Sequence, residues 1–340
     1  MTRAGAVVVA ACLTAPTTVS AQAVVAEVQQ SNGVSSDTTS TTSTQLRLYG
    51  EPLRNLHFKI EGSFGQRYGM KSDLLGTAYP YGGRADVMEA FAEYSMPDGS
   101  FVRSMKAGRY RTPFGISSAG EHAYIGFMRP PLIRYPNYWA VGNNFLEHGV
   151  DLVVGSPNLS AEISVGRPAD VGTLHRRPTT DAVGRIEASS DSLIVGASFI
   201  HTEPWEPLGF GPSNFGGFDV RWMRSGVQLR GEYVRGQSMT MTSTDGAYLD
   251  LIAHRVGMGP FTVLARAEWL DYDVPIWREL DFHAKRYQAA VRMRVWQGLS
   301  VSAGMMTQQG AIGVTSLTGY SEHNRRHAAD FSVTYAVRTR

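Results

Sequence analysis

Late in the chain, Arg230, Arg266, Arg286, Arg292 and Arg294 recur at spacings that would set each on one face of an extended strand, and Glu232 and Glu268 share those faces. Such side chains would act on ions through their charge rather than by making bonds. A basic wall along a wet passage favours anions, whereas carboxylates close by pair with the guanidiniums. Asp219, Asp250 and Asp330 supply further acids on other segments. A pore-lining selectivity set and a cross-strand ion-pair network are therefore both open. A second charged group, Glu121, Arg129 and Arg134, sits in a long stretch at 112–146 with Pro130, Pro131, Pro136, Tyr135, Tyr138 and Trp139. A proline-stiffened segment of this kind could fold into a lumen and hold Arg129 and Arg134 where fixed charge acts strongly on a passing ion. It could equally pack outside on its own aromatics.

Nothing local points to a catalytic residue. The chain carries no Gly-x-Ser-x-Gly elbow, His-Glu-x-x-His pair, phosphate loop or dinucleotide fingerprint. Glu121-His122 and Glu147-His148 lack the i, i+4 helical pair or Cys/His spacing that makes a zinc site specific, and they read as loop surface. No metal and no cofactor is expected. Without a basic cluster, and with a formal net charge of +2, nucleic acid is not an expected partner.

The segments that must carry the charged residues alternate apolar and polar with period two. Phe261, Val263, Ala265, Ala267 and Trp269 interleave with Thr262, Leu264, Arg266, Glu268 and Leu270, and the pattern recurs at 226–236, 284–296 and 328–338. One face suits lipid and the other water. About sixteen such strands are expected, near 24–30, 44–50, 55–64, 86–95, 101–111, 147–155, 158–166, 182–189, 191–201, 217–223, 226–236, 246–255, 260–270, 284–296, 298–308 and 328–338. Connections between them run alternately long and short. Tight turns at one membrane face and long loops at the other define a transmembrane antiparallel β-barrel, with the short turns periplasmic and the long loops extracellular. Ten residues rising about 3.3 Å each at about 45° span roughly 23 Å, which suits an outer membrane. The Ser/Thr-rich stretch Ser35 to Thr44 could instead be a linker behind a free tail, in which case 24–30 is not a strand. At 101–111 the register is open, because Arg103, Met105, Ala107 and Arg109 share one face.

A mean hydropathy of −0.18 fits a barrel as well as a soluble chain, since each inward polar residue cancels an outward apolar one. Glycine at 36 residues, with 15 tyrosines and 6 tryptophans, suits turns and interfacial girdles. Residues 1–21 read as an export signal, with Arg3, the apolar run Ala4 to Leu13 and a small-residue cut after Ala21, which leaves 22–340 as the barrel. The sole cysteine, Cys12, lies in that signal, so the fold has no disulfide to lean on.

The stretch Glu89-Ala90-Phe91-Ala92-Glu93-Tyr94, followed by Lys106-Ala107-Gly108-Arg109-Tyr110-Arg111-Thr112-Pro113-Phe114-Gly115, resembles the phosphate-selective porin O/P-like family over 85–116. Elsewhere the likeness is architectural. Pro113 cannot donate to a ladder and Gly115 permits a reversal, so Thr112, Pro113, Phe114 and Gly115 end a strand and start the third loop. The resemblance implies a homotrimeric, water-filled channel of the bacterial outer membrane, in contact with its lipid and passing small hydrophilic solutes or ions with an anion lean. The family's lysine ladder has no match here, so phosphate selectivity does not carry over. Nor does the C-terminal strand end on the aromatic residue that looks typical of barrels handled by the assembly machinery; Tyr335 could serve instead. A closed barrel that binds through its loops, and a barrel hydrolase, are the alternative functions.

Overall fold

Apolar residues on alternate positions have to leave water, and a barrel does this by turning that face to lipid while its closure pairs every strand edge. In the computed structural model the chain closes. The described residues are 24–36, 40–68, 84–116, 127, 129, 131–134, 146–168, 179–204, 211–237, 243–256, 259–273, 281–310 and 325–338. The signal expected at 1–21, with Cys12, lies outside them. Sixteen strands run in order: β1 Val25–Ser35, β2 Ser40–Leu53, β3 Leu56–Tyr68, β4 Arg84–Ser95, β5 Val102–Arg111, β6 Leu146–Gly155, β7 Leu159–Pro168, β8 Asp181–Ser189, β9 Leu193–Thr202, β10 Ser213–Arg224, β11 Val227–Gln237, β12 Ser243–His254, β13 Phe261–Asp273, β14 Asp281–Trp296, β15 Leu299–Gln309 and β16 Arg325–Arg338. Each pairs antiparallel with its neighbours, and β1 closes on β16, Val25 opposite Arg338.

The period-two reading holds. Phe261, Val263, Leu249, Leu251, Phe218, Val291 and Met305 are exposed on the outer face, while Arg266, Glu268, Asp250 and Arg286 point inward and are buried. On β5, Ser104, Lys106 and Tyr110 turn inward, and Arg103, Met105 and Ala107 are exposed outward, which resolves the register left open by the sequence.

Residues Ser35 to Thr44 are the main departure. They are strand ends rather than a linker, joined by only residues 36–39, so the first connection is short where a long one was expected. β1 and β2 pair from Val25 opposite Tyr49 to Val34 opposite Ser40. Side-chain hydrogen bonds run along their outer face, Gln30 Nε2 to Thr42 Oγ1 at 2.8 Å and Thr42 Oγ1 to Asn32 Oδ1 at 2.9 Å. Hydroxyl and amide side chains that satisfy one another suit a pleated surface, which a count of apolar residues misses. Prolines respect the ladder: Pro260 precedes β13, and Pro52 falls in the register shift between Gly50 and Leu53.

Gly108 needs its missing Cβ. Its φ is +130°, and a Cβ there would stand 2.4 Å from the Ala90 carbonyl oxygen. The close approach lets β4 and β5 stay paired directly below the start of the third loop.

Candidate functional site

An apolar seam on a wall that should be wet decides where the third loop goes. Val183, Ile200, Phe215, Val234, Tyr248, Ile252, Leu264 and Leu270 occupy inward positions from β8 to β13 and are all buried. Left open to a water-filled lumen they would be costly, at about 25 cal/mol per Å² of apolar surface. The third loop covers them. β5 ends at Arg111, and Thr112-Pro113-Phe114-Gly115 turns the chain inward, with Gly115 at φ 64° and its N–H on Ser198 Oγ at 3.1 Å. Phe114, fully buried, joins the seam beside Gly217, where a Cβ would stand 3.2 Å from its ring. Farther along, Leu132 and Ile133 in a 3₁₀ turn, Leu132–Arg134, pack in the same cluster, and Phe127 packs with Ile252, Leu264 and Ala290.

Charged residues fasten that cover. Asp250 accepts from Arg230 Nε at 2.8 Å and from Arg266 Nε at 2.6 Å, with none of the three side chains exposed. Arg266 also donates to the Arg129 carbonyl at 3.1 Å and lies 4.3 Å from the Phe127 ring centroid and 5.1 Å from that of Tyr248. Glu268 accepts the Leu132 N–H at 2.6 Å and Gln288 Nε2 at 2.6 Å, with Arg286 Nε at 3.6 Å. Arg286 donates to Gln308 at 3.0 Å. Arg129 forms a two-pronged bond to Asp330 on β16, both contacts at 2.7 Å. Fork-to-carboxylate bonds of this kind are among the stronger ones, and this one ties the loop to β16 while Arg266 and Glu268 tie it to β13.

The sequence-predicted residues thus divide. Arg230, Arg266, Arg286, Glu232 and Glu268 face inward as read, yet they are buried beneath or beside the loop. Arg292, half-buried, donates to Ser300 Oγ at 3.1 and 3.3 Å, and Arg294 is exposed two residues nearer the periplasmic turn. Arg129 lies inside the lumen. Of Arg134 only the backbone is described, and Glu121 lies outside the described residues. Glu147 and His148 stand on β6, not on a loop. Glu147 is fully buried and accepts from Ser164, while exposed His148 bonds Arg109 at 3.0 Å; neighbours on opposite faces of a strand cannot converge on one metal ion.

Open space among the described residues adjoins the start of the loop. It is a cleft of about 340 Å³. Its wall carries Lys59 from β3, Glu89 and Glu93 from β4, Lys106 and Arg111 from β5, Glu162 from β7, Arg185 and Glu187 from β8 and Arg221 from β10. Sign changes nearly strand by strand, and pairs form throughout. Lys59 bonds Glu89, and Arg111 stands 3.4 Å from both Glu61 and Glu89. Lys106 is 3.4 Å from Asp151 and 3.7 Å from Glu162, with its Nζ over the rings of Phe91 and Tyr110. Arg185 bridges Asp219 at 2.5 Å and Glu187 at 2.9 Å, and Arg221 bonds Glu187. The described loop residues lining the cleft, Thr112, Pro113, Gly115 and Ile116, are uncharged. None of the nine charged residues of the cleft reads as pore-lining in the sequence, although Glu89, Glu93, Lys106 and Arg111 lie in the stretch that carries the family resemblance. The usable signal was indirect: Leu264 and Leu270 on an otherwise polar face mark the half of the lumen that is covered, and hence the half that is not.

No protein-family model and no curated protein matches the sequence. Solved structures do match, over nearly the whole chain. An anion-selective porin from Comamonas acidovorans aligns at a TM-score of 0.63 and 11% identity, covering 93% of this chain and 100% of that one. OmpF of Salmonella typhi, solved with daunomycin, aligns at 0.64 and 9%, covering 93% and 98%. OmpT of Vibrio cholerae, an outer membrane protein with its loop L8 deleted, aligns at 0.61 and 9%, covering 92% and 98%. The fold is that of the sixteen-stranded outer-membrane porins.

Proposed function

We propose that this chain forms a passive, water-filled channel of the bacterial outer membrane for small hydrophilic solutes and ions, with no chemical step. The observation that carries this reading is the charge-lined cleft beside an inward-folded third loop in a closed barrel. Fixed charge in a narrow lumen acts on permeants, while the exposed apolar outer face suits lipid. Single-channel recording of the detergent-purified protein in a planar bilayer under a salt gradient tests it. Stepwise openings are expected. Repeated insertion without conductance would favour a closed barrel that works through its loops.

Selectivity in this reading is weakly anionic. Five cations face four carboxylates along the cleft. Toward the periplasmic mouth Arg292 and Arg294 add positive charge near Ser300 and Ser302. Replacing both arginines with serine is expected to move the reversal potential toward cations by a few millivolts, the small effect that suits charges screened by salt. An unchanged potential would remove them from the selectivity set. The inward turn at Thr112–Gly115 supports a likeness to the O/P-like porins at the start of this loop, and phosphate selectivity forms no part of the proposal.

A homotrimer fits the outer face. Gln30, Asn32, Thr42 and Thr44 project outward between Val28 and Leu46 on one side and Val34 on the other, all three of them exposed apolar residues of the outer face. Thr44 donates to Gln30 Oε1 at 2.5 Å. Hydroxyl and amide groups at lipid depth, which here bond one another, can exchange those bonds for bonds to a second copy's amides. Changing Gln30 and Asn32 to leucine and Thr42 to valine is expected to lower the mass seen by light scattering in detergent while the barrel stays folded. An unchanged oligomer would refute this face as the contact. Export through a cleaved signal at 1–21 and insertion by the assembly machinery, with outward Tyr335 in place of a terminal aromatic, complete the proposal.

A further inference from the structure

We infer that the cleft is matched to zwitterionic solutes, molecules bearing an ammonium and a carboxylate a few ångströms apart, as α-amino acids do. This rests on the channel reading above. The two signs are not segregated on opposite sides of the passage: both stand on the barrel wall, and the described loop side is uncharged. Wall cations sit within contact of wall anions, Lys106 with Glu162 at 3.7 Å, Arg111 with Glu89 at 3.4 Å and Arg185 with Glu187 at 2.9 Å.

A simple anion that takes Lys106 must open its contact with Glu162, whose one described ion-pair partner is Lys106, and so leaves a carboxylate unmatched in a narrow, partly desolvated space. A zwitterion opens the same pair and re-pairs both halves, so the exchange is close to balanced. Near-balance is what permeation needs, since a permeant must enter readily and leave readily. The separation of charge along the wall, about 3 to 4 Å between paired atoms, is also that between the ammonium and carboxylate of an α-amino acid. Lys106 adds specificity. Held over Phe91 and Tyr110 at 5.8 and 5.1 Å and paired on its other side, it is positioned to receive a carboxylate while Glu162 receives the ammonium.

Alanine and lactamide are isomers, one zwitterionic and the other uncharged, so their influx into proteoliposomes isolates charge from size. Swelling is expected to be about threefold faster in alanine than in lactamide after subtraction of protein-free leak, the modest preference that weak, exchangeable contacts allow. In the Lys106→Met, Glu162→Gln variant, checked for folding by heat-modifiable migration, the alanine-to-lactamide ratio is expected to fall toward unity, with lactamide flux as the reference within each preparation. Equal rates for the two isomers in the unmodified protein would overturn the inference and leave the channel reading standing. A ratio unchanged in the variant would overturn the assignment to this pair. Absence of flux for both isomers would overturn the channel reading and this inference together.

Discussion

Asp250→Ala is expected to destabilise the barrel by about 3–5 kcal/mol, the range for stripping one partner from a buried ion pair. The size of the effect comes from what stays behind. Arg230 and Arg266 both hold Asp250, and none of the three side chains reaches water. Alanine leaves two guanidiniums sharing a dry pocket with their common counter-charge gone. Arg266 would still have the Arg129 carbonyl and the faces of Phe127 and Tyr248, neither of which neutralises it. Because Arg266 also holds the third loop, unfolding in urea should begin with that loop. Asp271→Ala supplies the comparison: its pair with His283 is 57% and 40% exposed and 2.5 Å long, and exposed pairs contribute about 0–1 kcal/mol. Intrinsic fluorescence during urea titration in detergent would report both variants. Equal midpoints would mean that Asp250 is not the counter-ion that holds the loop.

How far the sequence could be read follows from which interactions are local. Alternation is a property of each strand alone, so the sixteen segments, the outward Phe261 and Val263 and the inward Arg266 and Glu268 were legible residue by residue. The Thr112–Gly115 turn was legible for the same reason, since proline and glycine act on their own backbone. What the inward charges face was not legible. Arg230 and Lys106 look alike in sequence, each a cation on a strand with acids on neighbouring strands. One is fully buried against Asp250, and the other borders open space, because a loop that leaves β5 crosses to β12 and β13. That crossing depends on contacts more than one hundred residues apart in sequence, such as Leu132 with Glu268 and Arg129 with Asp330. Ser35 to Thr44 failed as a linker for a related reason: Gln30, Asn32 and Thr42 satisfy one another across two strands, which no single segment reveals.

Replacing Glu89, Glu162 and Glu187 together with glutamine is expected to convert weak selectivity into strong anion selectivity. The unmodified cleft sets five cations against Glu89, Glu93, Glu162 and Glu187. With three carboxylates made neutral, Glu93 remains as the only acid among its lining residues, and the passage gains three units of positive charge. The fold should tolerate the change because most cations keep a second acid. Lys59 and Arg111 retain Glu61, Lys106 retains Asp151 and Arg185 retains Asp219, while Arg221 loses its only described carboxylate partner. Glutamine also preserves shape and accepts the same hydrogen bonds, so the effect is one of charge. In a narrow passage of low effective dielectric, unit charges about 4 Å from a permeant are worth a few kcal/mol each before screening, and salt at 1 M shortens the screening length to about 3 Å. The shift should therefore be largest at low ionic strength and shrink as salt rises. A tenfold salt gradient across a planar bilayer reads it directly: the reversal potential should move most of the way to the limit for an ideal anion channel at low salt and much less at high salt. If the triple variant kept the unmodified potential at low salt, permeating ions would not be crossing this cleft. The buried arginines on β11 to β14 could not explain the result, because their carboxylates are untouched.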